Sequence, residues 1–259
     1  MRPASSPAMV EPAMTRSAVS RSVGRSAAPV SEHRFYSSVA IAAAVVILAG
    51  FASTYGPKLV GPGTVPPIIH VHAAVFALWL VAFVVQNLLV LNGRTDLHRR
   101  LGPWVVGLAG VMLVLGSATA IAVTRAGHRG IPGVEFPDAG GFLLLNLAAV
   151  LVFAVLVAAG WYWRRNPQAH KRLMFMATTA TLVGPGASRL PFARGRTPVI
   201  AVIVVGFMLA GPVYDLITRR RIHPAYRWSL AAGVLALPPV IALIAATPVW
   251  KAIAMRLLQ

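Results

Sequence analysis

Seven stretches of this chain are long and apolar enough to cross a bilayer, and that feature decides most of what it can fold into. A crossing helix needs roughly 20 predominantly apolar residues. The qualifying runs are Phe35–Tyr55, His70–Leu91, Trp104–Val123, Gly141–Trp163, Arg172–Leu190, Val199–Thr218 and Trp228–Thr247. Lipid offers backbone N–H and C=O groups no partners, so runs of this kind must be helical. The expected fold is an all-α polytopic membrane bundle over residues 35–250, with a cytoplasmic N-terminus. Surface chemistry agrees: 12% of residues are charged and 57% hydrophobic, whereas a soluble domain is about 25% charged.

The fifth run is the exception. It carries Thr178, Thr179, Thr181, Gly184, Pro185, Gly186 and Ser188, so re-entry is its alternative and the count would then be six. Residues 1–34 are rich in Ser, Ala, Pro and Arg without apolar periodicity. They are expected to form a disordered basic cytoplasmic tail, although such a composition also resembles an organellar transit peptide. The first run lies too far behind this basic region to be a cleaved signal and is expected to be retained.

A net charge of +18 raises nucleic acid as a partner. Placement argues otherwise. About two-thirds of the Lys and Arg fall in segments that a seven-span layout puts inside, among them Arg94, Arg99, Arg100, Arg164, Arg165, Arg219, Arg220 and Arg221, as the positive-inside rule requires. The charge therefore reads as topology and attraction to anionic headgroups, in a bacterial inner (plasma) membrane, with no nucleic acid.

No cysteine is present, which removes disulfides, thiolate metal sites, iron–sulfur clusters and Cys nucleophiles. Gly-x-Ser-x-Gly, His-Glu-x-x-His and phosphate-loop motifs are absent from the sequence. A single acid within the spans is too few for a carboxylate-bridged di-iron site.

Polar chemistry concentrates at helix starts. Asp96 is the expected N-cap placing His98 in a first turn; Asn166-Pro167 does the same for His170, and His223-Pro224 opens the seventh span. His98-Arg99-Arg100-Leu101 and His170-Lys171-Arg172-Leu173 repeat one pattern, which points to a parallel duplication of spans two and three as four and five. A helix N-terminus disfavours imidazolium, and neutral imidazole ligates metals. Haem would use both the imidazoles and the arginines, the latter for its propionates. The plain alternative is that these side chains snorkel to water and lipid headgroups.

His72, Trp79 and Gln86 recur at heptad spacing and drift only about 20° per heptad. That face should look into the bundle, with Gln86 seeking a partner. Packing alone is the alternative. His70, two positions away, points elsewhere. Asp215 is expected near Arg172, His98 and His223, either with a function or bridged to Arg219. Arg189 should reach His72, Glu135 or Asp138, and the glycine-rich 124–140 loop can bring His128 there. An inner cluster of His98, Arg100, His170, Arg172, Asp215 and His223 would thus face an outer one of His72, His128 and Arg189.

The elements His70-Val-His72, Trp79, Gln86, Leu97-His98-Arg99-Arg100-Leu101-Gly102, His170-Lys171-Arg172-Leu173-Met174, Arg189-Leu190, Tyr214-Asp215 and His223-Pro224 together resemble a family of bacterial multi-pass membrane proteins without an assigned activity. The His-Arg-x-Leu-Gly element is also similar to one in haem-binding transmembrane cytochromes b. That second resemblance implies haem b held by His98 with His170 or His223, and Arg100 and Arg172 near the propionates. An outer pair would need His72 with His128 from a loop. The resulting expectations are a haem-binding or haem-handling protein, in electron transfer or respiratory-complex assembly with a membrane-complex partner, or a cofactor-free, proton-coupled carrier or headgroup binder. A structural assembly partner is the third.

Overall fold

The computed structural model describes residues 30–60, 65–131 and 134–259. Residues 1–29 of the expected tail lie outside them. Ten helices and one two-residue antiparallel strand pair make up the described chain. Helices α1 (Val30–Val60), α2 (Pro67–Leu91), α3 (Thr95–Arg125) and α4 (Ala139–Tyr162) come first, with β1 (Gly130–Ile131) and β2 (Val134–Glu135) between α3 and α4. Then follow α5 (Pro167–Thr179), α6 (Val183–Ala187), α7 (Thr197–Arg219), α8 (Pro224–Val234), α9 (Pro238–Ala245) and α10 (Pro248–Leu258).

Five helices among the described residues are long and apolar enough to cross a membrane: α1, α2, α3, α4 and α7. A sixth crossing is available if α8 and α9 act as one span, bent by 51°. The expected fifth span does not form as a continuous helix, so helix length and composition support five or six crossings rather than seven. The breaks have local causes. Pro185 lacks an N–H, and its ring would clash with the Thr181 carbonyl one turn back in a continuous helix. Thr179 and Thr181 also turn their hydroxyls onto the Phe175 and Ala177 carbonyls, at 3.0 and 2.5 Å. Pro238-Pro239 interrupts the last run in the same way, and Leu237 before it is pushed to extended backbone (ψ 139°).

Helix starts follow the cap chemistry in two cases of three. Asn166 Oδ1 accepts from the Gln168 and Ala169 amides at 3.1 and 3.2 Å, and His223 Nδ1 accepts from the Ala225 amide at 3.1 Å. Asp96, however, lies inside the first turn of α3, and Arg94 occupies the cap position without a side-chain bond. Helix α1 begins at Val30, so Glu32 and Arg34 are helical rather than part of a tail.

The core is a contact of α1 to α5 with α7 and α8, built around Trp79, Met112, Phe153, Phe175, Met176 and Tyr226, all essentially inaccessible. Trp79 Nε1 donates to Thr178 Oγ1 at 3.2 Å, which fixes the heptad face of α2 against α5. Helices α1 and α6 meet through glycine: a Cβ on Gly50 would lie 2.0 Å from the Gly186 carbonyl oxygen, and one on Gly186 would lie 2.5 Å from Ile47 Cα. Small residues permit such close approach in membranes. Outward faces carry Val45, Leu78, Val81, Val114, Leu151, Val202, Ile217 and Leu243. Apolar side chains on the outside and matched backbone bonds within describe a multi-pass integral membrane protein.

Candidate functional site

Turns at 92–94, 163–166 and 220–223 carry Arg94, Arg164, Arg165, Arg220 and Arg221 and define a basic end of the bundle. Just inside that end lies a knot of buried charge. Arg172 of α5 and Asp215 of α7 are both 0% exposed. Arg172 Nε donates to Asp215 Oδ2 at 2.8 Å, and its Nη2 bonds Asp215 Oδ1, giving a two-pronged pair. Arg172 Nη1 is held by the Gln168 backbone and side-chain oxygens, at 2.8 and 2.7 Å.

Glu32 of α1, 1% exposed, completes the knot. Its Oε1 takes Lys171 Nζ at 2.6 Å and Arg219 Nη2 at 2.7 Å, with Arg172 Nη2 at 3.5 Å, while Oε2 has no partner. Three cations thus face two carboxylates. Asp215 also accepts from the His223 amide at 3.3 Å. Arg220, at φ 55°, turns the chain beyond α7 toward that contact. Arg219 Nε lies 3.7 Å from Asp215, so the pair expected from helical spacing is secondary to Arg172. Above the charges Tyr36 and Tyr226 share a 2.7 Å hydroxyl bond. Tyr226 fits because Gly211 has no Cβ; one there would lie 2.1 Å from the phenol oxygen.

The three expected imidazoles divide. His98 and His170 come together, ring centroids 6.0 Å apart and planes at 78°. His170 Nδ1 lies 2.8 Å from the Gly160 carbonyl, so that nitrogen carries the proton and donates. His98 Nδ1 is buried without a partner. His223 instead belongs to the ion cluster, its Nδ1 used as the α8 cap. Burial, then the nearby Arg172 charge, holds that imidazole below the usual histidine range, with Asp215 opposing. Among the described residues no group of three or more His, Asp or Glu is placed to hold a metal ion, so the shared three-histidine centre is not formed. Arg100 is exposed and makes no ion pair among the described residues.

At the opposite end His72 stacks on Phe76, centroids 4.0 Å apart, with a buried Nδ1 that has no partner. His70 turns away and bonds Tyr55. His128 is exposed beyond α3 and bonds the Val123 carbonyl at 3.0 Å, so it does not pair with His72. Asp138 caps α4 through the Gly141 amide at 2.8 Å instead of meeting Arg189, and the Glu135 side chain lies outside the described residues. Gln86, expected to find a partner, has both amide atoms buried without one.

Sequence reasoning missed Glu32, Lys171, Arg219, Tyr36 and Tyr226 as one site. Glu32 falls within the expected tail, although its helical spacing to Tyr36 signals that α1 starts earlier. Compared with known protein families, curated proteins and solved structures, the chain matches none of them significantly.

Proposed function

We propose that this chain is a cofactor-free, proton-coupled carrier of a bacterial plasma membrane, with its basic end in the cytoplasm among anionic headgroups. The observation that carries this reading is the buried ion cluster. Its members sit on α1, α5 and α7, and the His223 amide ties α8 to it. Helices α5 and α8 are the ones that break within their runs. Buried charges are costly and rarely add stability over apolar replacements. Inside membranes they mark ion or substrate pathways, and interrupted helices frame the sites of many transporters. Glu32 Oε2, buried and without a donor, is the open acceptor of the cluster, and in this reading a proton driven onto it competes with the three cations. Protonation loosens its hold on Lys171 and Arg219 and frees α5 to move against α1.

Proteoliposomes enclosing a pH-sensitive dye test the reading. An imposed proton gradient should drive flux above that of empty vesicles, and Glu32→Gln should lower it about tenfold. Vesicles indistinguishable from protein-free ones under every gradient overturn it.

Haem handling keeps one observation in its favour. His98 and His170, with ring centroids 6.0 Å apart, would be the residues to hold the haem iron. Against it, Arg172 is already engaged by Asp215 and Arg100 points to solvent. A Soret band in purified protein, absent in His98→Ala, would select this reading over the carrier.

A further inference from the structure

At the end opposite the ion cluster, Arg189 is a partly buried cation that makes no ion pair among the described residues. Arg189 lies just past the C-terminal end of α6. Its Nη1 donates to the Pro185 carbonyl at 2.6 Å, and its guanidinium carbon sits 4.6 Å over the Phe51 ring of α1. Its own carbonyl is gripped by Ser53 Oγ at 2.8 Å and Arg194 Nη2 at 3.3 Å. The backbone is therefore fixed from both sides, which holds the side chain in place.

What Arg189 lacks is as informative. No carboxylate pairs with it among the described residues, and its Nε and Nη2 have no hydrogen-bond partner there. Arg172 shows the contrast, with Nε, Nη1 and Nη2 all engaged. The charged neighbours of Arg189 are cationic, Arg194 foremost. The Nε–Nη2 edge of a guanidinium is the fork that takes two oxygens of one carboxylate in parallel hydrogen bonds. A partly buried guanidinium with that edge open can take such a partner.

We propose that Arg189 is a binding site for a small carboxylate or similar oxyanion, seated on its Nε–Nη2 edge. This rests on the carrier reading for its role, since it names that carrier's substrate class. The site lies where Gly50 and Gly186 bring α1 and α6 into backbone contact, so an occupant there bears directly on the joint between them.

The test is thermal unfolding of the purified protein in neutral detergent, titrated with acetate, inorganic phosphate or a short-chain phosphatidic acid against chloride at matched ionic strength. A ligand that binds only the folded protein raises its melting temperature saturably. Acetate or phosphate should do so in the wild type. Arg189→Gln should weaken the apparent affinity at least tenfold, and Arg189→Lys, which keeps the charge and loses the fork, by an intermediate factor. An unchanged titration in Arg189→Gln and Arg189→Lys overturns the site, as does a wild type that responds to no oxyanion. A response confined to phosphatidic acid also overturns it, because the cation then serves a lipid headgroup. Oxyanion binding without flux in vesicles removes the carrier and leaves the site; flux unaffected by Arg189→Gln does the reverse.

Discussion

Removing one member of the Arg172–Asp215 pair should cost far more than removing both. Each side chain is fully buried, and two hydrogen bonds join them. Asp215→Ala strands the Arg172 guanidinium and raises the cluster from three cations against two carboxylates to three against one. Breaking a buried pair in this way costs about 3–5 kcal/mol. For a chain of this size that corresponds to a fall in melting temperature of roughly 6–20 °C, taking 2–4 °C per kcal/mol. Arg172→Met strands Asp215 by the same logic and should cost a similar amount, eased by Arg219 at 3.7 Å. The double variant Arg172→Met/Asp215→Leu leaves no stranded charge in the pair, so most of the loss should return. Thermal unfolding of all four proteins in one detergent, followed by tryptophan fluorescence, gives the coupling energy directly. Additive single losses, with the double variant the least stable of the set, would refute the reasoning. The double variant also supplies a folded protein lacking the pair, in which flux and fold can be separated.

The glycine joint between α1 and α6 should tolerate no side chain: Gly186→Ala sets a methyl 2.5 Å from Ile47 Cα, and the expected overpacking loss of about 1–3 kcal/mol would show as lower melting temperature and protease resistance. Gly211→Ala should expel the Tyr226 hydroxyl from its bond to Tyr36, read as a changed tyrosine environment in near-ultraviolet circular dichroism, whereas Tyr226→Phe should cost only about 1 kcal/mol. His223 has its folded-state pKa lowered, chiefly by burial, so the stability it contributes is present above the unfolded value near 6.5 and lost as pH falls below it. His223→Asn, which retains a capping oxygen without titrating, should flatten that part of the melting-temperature profile below about pH 6.5; an identical acid-side slope would show that other groups set it.

Helix identity was readable wherever apolar length and cap chemistry spoke together. The runs containing Trp79, Val111, Val155 and Val205 all became long helices, because a bilayer-length apolar run has no other stable form. Asn166-Pro167 and His223-Pro224 opened helices as their side chains dictate. The run at 172–190 was legible as doubtful but not as broken, since the clash of the Pro185 ring with the Thr181 carbonyl depends on a helix being continuous there. The candidate site was readable in parts: Asp215 near Arg172 followed from the rarity of an acid in an apolar run. Glu32 was hidden because its partners come from helices far along the chain, and no local pattern announces three cations around one oxygen. The histidines misled for a related reason. Shared position at helix starts sets depth in the membrane, yet the neighbour each ring meets depends on helix order, which brought His98 to His170 and sent His223 to Asp215.

Glu32 also bears on how the molecule is made. It sits near the start of α1, while Arg219 arrives 187 residues later in synthesis. Until α5 and α7 emerge, that carboxylate lacks Lys171, Arg172 and Arg219, so the head of α1 has reason to linger at the membrane surface. Final seating of α1 is then a late event in biogenesis, and any defect that delays α7 leaves the head of α1 unsettled.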